Sequence, residues 1–410
     1  MVDILPFKGL LYNQDKINDV SKVVSPPYDV IGPGLLKKLK EISPYNVTNL
    51  ILPESLEEEN KYVHAASILE NWIKGQILVS DKKKSFYLIE VIFEEEGKQK
   101  SINGFIGLNK IEDYDSGKVL RHEDTLPKPK EDRLKLLEAT KANFGLIYTV
   151  YRDNTDLVTD LIKENEPETS IKPYYDPRLC FNFRKISDEA AISLITGMMK
   201  DKSVLIADGH HRYETSRIYS SRMKKEGLKA SDYILTLFVN SKQKDISIYP
   251  TYRILKLKKS LDIDMLIDKS RKYFTFEKVL DHGLNEILYK EKQQGRMSFI
   301  IYPDKDNVHL ARLKKELPRK GDLEDLDVYI LHRYFIDEVI GSNNIEDISY
   351  THREEELKKE VGLGSFDLGV MLNPPAIEQV ESLSGKGLLM PQKSTYFYPK
   401  PCTGLVMYKF

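Results

Sequence analysis

Apolar positions recur along the chain in two periods, and each period predicts its own kind of element. Short apolar or alternating runs at 86–93, 101–108, 145–151, 204–207, 233–240 and 246–254 predict strands. The charged stretch 94–98 joins the first two as a hairpin. Helical spacing predicts helices over 62–73, 131–141, 156–164, 187–200 and 210–225. The first of these carries Val63, Ala66, Leu69 and Ile73 on one stripe, and Gly227 is the C-terminal stop of the last. Pro167, Pro173 and Pro177 predict that 165–185 is loop. Beyond 256, helices are expected near 261–272, 324–338, 352–360 and 375–383, and strands near 298–302, 307–312 and 367–372. Alternating strands and helices predict a mixed α/β fold. It is divided here into an N-terminal α/β region 1–115, a core 116–255 and a C-terminal α/β region 256–410 that completes the site.

Composition narrows the classes of function. The chain has 410 residues, 41% hydrophobic and 30% charged, which fits two or three ordinary globular domains. Lys and Arg nearly balance Asp and Glu, leaving a net charge of −1. A nucleic-acid binder needs a basic excess or stripe, so no nucleic-acid partner is expected. Cys180 and Cys402 give no disulfide framework and point to a reducing compartment, so a cytoplasmic location is expected. The N-terminus lacks the charge-then-apolar pattern of a signal peptide, and no apolar run is long enough to span a membrane.

Four stretches carry candidate chemistry. In 203–217 an apolar run ends at Asp208-Gly209, and a helix then begins with His210, His211 and Arg212. A helix start offers free N–H groups and partial positive charge, so basic residues there make sense around an anion, and Gly209 lets the backbone approach it. The competing reading makes Asp208 an N-cap and leaves the basic residues solvated. Zinc is disfavoured, because adjacent histidines on a helix point about 100° apart. Around Arg121, His122, Glu123 and Asp124, either acid is a candidate general base and His122 a phosphate contact; the alternative is a surface loop of local ion pairs. Pro26-Pro27-Tyr28 is a rigid turn or the wall of a site. Pro250 places a strand end, with Tyr249, Thr251, Tyr252 and Arg253 projecting from a rim. Near the C-terminus Lys393, Ser394 and Thr395, with a second lysine at Lys400, suit phosphate, and Tyr396, Phe397 and Tyr398 suit stacking on a ring. The alternative there is a terminal strand with solvated lysines.

These motifs together resemble a large bacterial and archaeal family, the domain of unknown function 1015. Its marks here are Pro-Pro-Tyr-Asp-Val-Ile at 26–31, Arg-His-Glu-x-Thr at 121–125, Asp-Gly-His-His-Arg-Tyr-Glu at 208–214 and Met-Pro-x-Lys-Ser-Thr-Tyr-Phe-Tyr-Pro-Lys at 390–400. More remotely, the order of His122-Glu123, Ile206 to Arg212, Tyr249-Pro250 and Pro391 to Thr395 is similar to that in free serine kinases of the ParB/sulfiredoxin fold. Residues 1 to about 115 have no counterpart there, and Tyr-Pro-Thr-Tyr-Arg departs from the kinases at 249–253.

This second resemblance implies a ParB/sulfiredoxin-like nucleotide-binding core and transfer of phosphate from ATP or ADP to a small hydroxylated metabolite, free L-serine first. Glu123, assisted by His122, would be catalytic. Asp208, Gly209, His210, His211, Arg212, Lys393, Ser394 and Thr395 would bind the nucleotide, Asp208 would hold Mg²⁺, and Arg121, Tyr252 and Arg253 would bind substrate. A non-catalytic nucleotide-binding regulator and a hydrolase of a phosphorylated metabolite are the alternatives. Residues 1–115 would supply a lid or a homodimer surface. No P-loop or protein-kinase glycine loop is present.

Overall fold

The computed structural model describes residues 2–55, 60–95, 97–125, 127–227, 231–259, 262–315, 317 and 321–410. Glu96, in the expected hairpin tip, and Leu126, beside the Arg121 to Asp124 cluster, lie outside the described residues. So does Leu261, at the start of the helix expected near 261–272.

Packing gathers the residues into two compact units, each assembled from separated stretches. One comprises 1–121, 125–246 and 399–410, the other 122–124 and 247–398. The chain-order boundaries at 115 and 255 do not coincide with these units. The strand Lys98–Lys110 pairs along its length with Tyr233–Asn240, which welds the two sides of position 115 into one sheet.

The first unit is built on a nine-stranded mixed sheet. Phe86–Glu95 and Lys98–Lys110 form the expected antiparallel hairpin, with Glu95 opposite Lys98. On the other side of Tyr233–Asn240 lie Ile147–Tyr151, Val204–Asp208 and Val119–Leu120 in that order. Tyr233–Asn240 runs parallel to Ile147–Tyr151, and Val204–Asp208 runs parallel to Val119–Leu120; the remaining pairs are antiparallel. Val204 and Ile206 are fully buried because the strand lies inside the sheet, and they share a core with Ile195, Met199 and Tyr213 from the flanking helices. A second core surrounds Trp72 and Leu69. The helix Lys61–Lys74 buries Ala65, Leu69 and Trp72; of the expected stripe Leu69 is buried, Ile73 packs against the same core, and Val63 is exposed. The large ring of Trp72 sets which face turns inward, with Ala65 and Leu69 at helical spacing from it. The stretch expected to be loop at 165–185 contains two strands, Cys180–Ile186, which pairs with Phe86–Glu95, and Thr169–Ile171 beyond it at the sheet edge. Phe181 and Phe183 alternate inward with half-buried Cys180 and Asn182.

The second unit is a six-stranded, wholly antiparallel sheet. Its order is Phe274–Lys278, His309–Leu313, Ser298–Tyr302, Leu368–Leu372, Tyr252–Leu257, Ile345–Thr351. The helix expected near 324–338 runs from Asp327 to Ile340, with its last ten residues wound as a π-helix. Two short strands, Ser247–Tyr249 and Tyr396–Tyr398, pair separately, so Pro250 does stand at a strand end. Tyr252 and Arg253 do not project from a rim: they are 1% and 0% exposed. Their strand is flanked by a neighbour on each side, so its residues are enclosed. Among the described residues no helix is long and apolar enough to cross a membrane.

Candidate functional site

The strand Val204–Asp208 runs one residue past the expected end at 207, and the sixteen-residue helix His210–Lys225 begins two positions later, as expected. Gly209 makes that reversal with φ +99°, and it rather than Asp208 is the N-cap. Its positive φ favours glycine, and a Cβ there would crowd the Arg212 guanidinium, 3.2 Å from its central carbon. Helix residue Tyr213 is fully buried, and its hydroxyl exchanges hydrogen bonds with the backbone of Glu112, which holds the helix start against the unit.

Asp208 has a different task from the expected cap. Its Oδ2 accepts from Arg212 Nη2 at 2.6 Å, and its Oδ1 forms an ion pair with Lys400. All three side chains are largely buried, at 10–15% exposure. One carboxylate thus holds two cations beside a helix start. Arg212 also donates to the Leu146 carbonyl and lies against Gly145, where a Cβ would sit 3.0 Å from its Nη1. The expected Mg²⁺ role does not fit Asp208, because both its oxygens are engaged by cations. Among the described residues no group of three His, Cys, Asp or Glu side chains gathers in metal-binding geometry.

The double-proline motif belongs to the same unit and the same neighbourhood. Ser25 and Thr403 exchange backbone hydrogen bonds of 3.1 and 2.8 Å, tying the segment before Pro26 to the chain just after Lys400. Tyr28 then lies over Arg133, with the guanidinium carbon 4.4 Å from the ring centre. A cavity of about 70 Å³ is lined by Tyr28, Arg133, Phe144, Arg212, Thr215 and Thr403, among others. Burial raises the Tyr28 phenol pKa above its ordinary value. Arg121, expected at the substrate, stacks on Tyr114 in this unit at 4.5 Å.

The remaining site residues gather in the second unit. Buried His122 contacts Thr395, Nε2 to Oγ1 at 2.8 Å, and its carbonyl accepts from the Met390 N–H. Glu123 Oε2 accepts from the Lys393 backbone N–H at 3.1 Å. Lys393 has φ +58°, a conformation costly for a lysine, and an exposed side chain. Arg253 braces the same loop from below. Its guanidinium donates to the carbonyls of Thr251, Gln392 and Lys393 and to His332 Nε2 at 3.3 Å, and faces the Tyr350 ring. Burial lowers its pKa to about 10, which leaves it charged at neutral pH. No carboxylate lies within ion-pair distance of it among the described residues, so backbone carbonyls solvate its charge. Ser394 is buried and donates to the Pro391 carbonyl.

The family motifs therefore sort by unit. The first collects 26–31, 208–214 and Lys400; the second collects 122–124 and 390–396. Sequence reasoning missed the pairing of Lys400 with Asp208 and the parts played by Arg133, His332 and Tyr350. For Lys400 a signal existed, since it closes the motif at 390–400. For the others only tertiary contact identifies them.

The family described as "Protein of unknown function (DUF1015)" matches residues 4–329. No curated protein matches the sequence. Among solved structures, a conserved hypothetical protein from Pyrococcus furiosus is similar at 16% identity and TM-score 0.37, covering 72% of this chain and 90% of its own. A free serine kinase in complex with AMP is similar at 16% identity and TM-score 0.38, with 72% and 87% covered. SbnI with C-terminal truncation from Staphylococcus aureus is similar at 10% identity and TM-score 0.37, with 73% and 85% covered.

Proposed function

The chain belongs to the DUF1015 family of proteins of unknown function, and we propose that it is a nucleotide-dependent phosphotransferase with a ParB/sulfiredoxin-like core. Its acceptor is a small hydroxylated metabolite, free L-serine first, and its donor is ATP or ADP. The observation that carries the reading is the charge arrangement at Asp208. Two largely buried cations gather on one carboxylate beside a helix start, an arrangement suited to holding an anion. A nucleotide's phosphates supply it. Gly209 lets them approach the helix amides, with His210 and His211 alongside.

Phosphoryl transfer depends mostly on positioning and neutralisation of charge. In this reading Glu123 accepts the proton of the serine hydroxyl as that oxygen attacks the terminal phosphorus. The bond from that phosphorus to its bridging oxygen breaks, and the nucleotide one phosphate shorter leaves. Lys393 neutralises charge on the transferred group. His122 holds Thr395, and Arg253 holds the backbone of Lys393, so both are positioning residues. Arg253 is too enclosed to grip a free carboxylate, and the site carries no assigned metal step.

A regulator that binds nucleotide without transfer is the second reading. It is favoured by the bond from Lys393 N–H to Glu123, which gives that acid a structural task. Incubating the protein with L-serine and each nucleotide, followed by phosphorus NMR, separates the readings. Phosphoserine formed only when serine is present supports the kinase. Inorganic phosphate released without serine points to hydrolysis, and unchanged nucleotide that binds the protein points to the regulator.

A further inference from the structure

A cleft of about 410 Å³ in the second unit lies outside every motif discussed so far. It is bounded by the end of the helix Leu284–Gln293, the start of Asp327–Ile330 and the turn after the strand Leu368–Leu372. Met297, Leu326, Val328, Pro374 and Pro375 give it apolar walls. Its charged groups are Lys292, Arg296, Asp325 and Asp327.

Two of these groups are poorly matched. Asp327 accepts from the Ser298 N–H and, at 3.4 Å, from the Asn373 amide. No cation stands within ion-pair distance of it among the described residues. Burial raises its pKa to about 7, against the lowering effect of these hydrogen bonds and of Lys292. Lys292 donates to the Pro374 carbonyl at 2.8 Å and has no carboxylate partner at ion-pair distance among the described residues. Its pKa is lowered by burial and partly restored by Asp327. Arg296 is paired with Glu291 and Asp325 lies at the rim, so neither neutralises the other two. The Ser298 hydroxyl is also buried without a hydrogen-bond partner among the described residues.

A deeply set acid and an exposed amine therefore line one cleft, farther apart than an ion pair. A molecule carrying both opposite charges close together would satisfy the two at once. We propose that this cleft binds a free α-amino acid with a small or apolar side chain, its ammonium on Asp327, its carboxylate on Lys292 and its side chain against Pro374, Pro375 and Met297. The inference stands apart from the phosphotransferase reading, because it uses none of that site's residues.

L-Leucine is the probe, since it has no hydroxyl to accept phosphate. Calorimetric titration should show binding of L-leucine, with weakening by at least about tenfold for 4-methylpentanoate, which lacks the ammonium, and for 3-methylbutylamine, which lacks the carboxylate. Placing an ammonium on Asp327 drives its ionisation, so binding near neutral pH should release protons. Buffers of different ionisation enthalpy read that release. Asp327→Asn should abolish the release and weaken leucine by at least about tenfold, and Lys292→Met should erase the preference for leucine over the amine. Circular dichroism establishes that both variants are folded. No binding up to about 10 mM leucine, or equal binding by the protein and both folded variants, overturns the proposal.

Discussion

The backbone N–H of Lys393 donates to the carboxylate of Glu123 over 3.1 Å, although 270 positions separate the two residues. The bond does two things. It orients the acid, and it pins one side of a loop whose other side is held by Arg253 on the Lys393 carbonyl, at 3.1 Å. A carboxylate oriented this way has the fixed geometry that a general base needs more than an extreme pKa.

Glu123→Gln tests that division of labour. The amide oxygen can still accept from Lys393, so the loop and nucleotide affinity should stay within about twofold, while transfer to serine falls by about 10²-fold or more. Equilibrium nucleotide binding and phosphoserine formation, measured on the same sample, check it. Unchanged turnover moves the base elsewhere, and Asp124 is next to be tried.

Lys400→Met removes one of the two cations on Asp208. Because the pair is largely buried, its loss leaves the Asp208 oxygen exposed to an apolar neighbour. The expected cost is about 3 kcal/mol, read in chemical denaturation. Nucleotide affinity should drop by about tenfold, and the salt dependence of binding should become shallower. Asp208→Asn should also destabilise, but it keeps both cations and so should not weaken anion binding in proportion. If both variants bind nucleotide as the parent does, the anion sits elsewhere.

The expectations that held and those that failed have distinct physical origins. The strand-turn-helix at 204–225 was legible to within a residue, because burial, a glycine turn and helical spacing are all local. The partner of Asp208 was not, since Lys400 arrives from the other end of the chain. Tyr252 and Arg253 were misplaced for a related reason. Local pattern shows that a strand exists, but Ile345–Thr351 and Leu368–Leu372, about a hundred positions later, decide that it is interior. The strand Cys180–Ile186 had its alternation in plain sight, and the prolines around it outweighed the signal. Trp72 shows that a stripe is chosen by what it packs against as well as by its spacing.

His332 gives the second unit an acid-sensitive hinge of stability. Burial first, and the Arg253 charge second, lower its pKa to about 3. In the unfolded chain it titrates near its ordinary value, so between about pH 6.5 and 3 the unfolded state binds a proton that the folded state refuses. Stability should therefore fall as pH drops through that window. His332→Gln should flatten this limb of the profile, leaving the remainder to carboxylates such as Asp132, whose pKa is lowered to about 2. Denaturation midpoints measured from pH 7 to 4 check it. A parent and variant with parallel profiles would show that protonation of His332 costs the fold nothing.

Lys393 combines a left-handed backbone with an exposed amine, and the two features predict opposite responses. A lysine at φ +58° costs about 1–2 kcal/mol relative to an allowed conformation, and glycine avoids most of that at some cost in chain entropy. Lys393→Gly should therefore keep stability or raise it by up to about 1 kcal/mol, while phosphoryl transfer falls by about 10²-fold or more through loss of the amine. Lys393→Ala keeps the backbone cost and loses the same amine, so it should match the glycine variant in activity and fall below it in stability. Strain retained against a stability gain marks a residue kept for function. If the glycine variant loses stability and keeps activity, Lys393 is a structural turn residue, and neutralisation of the transferred phosphate belongs to another cation.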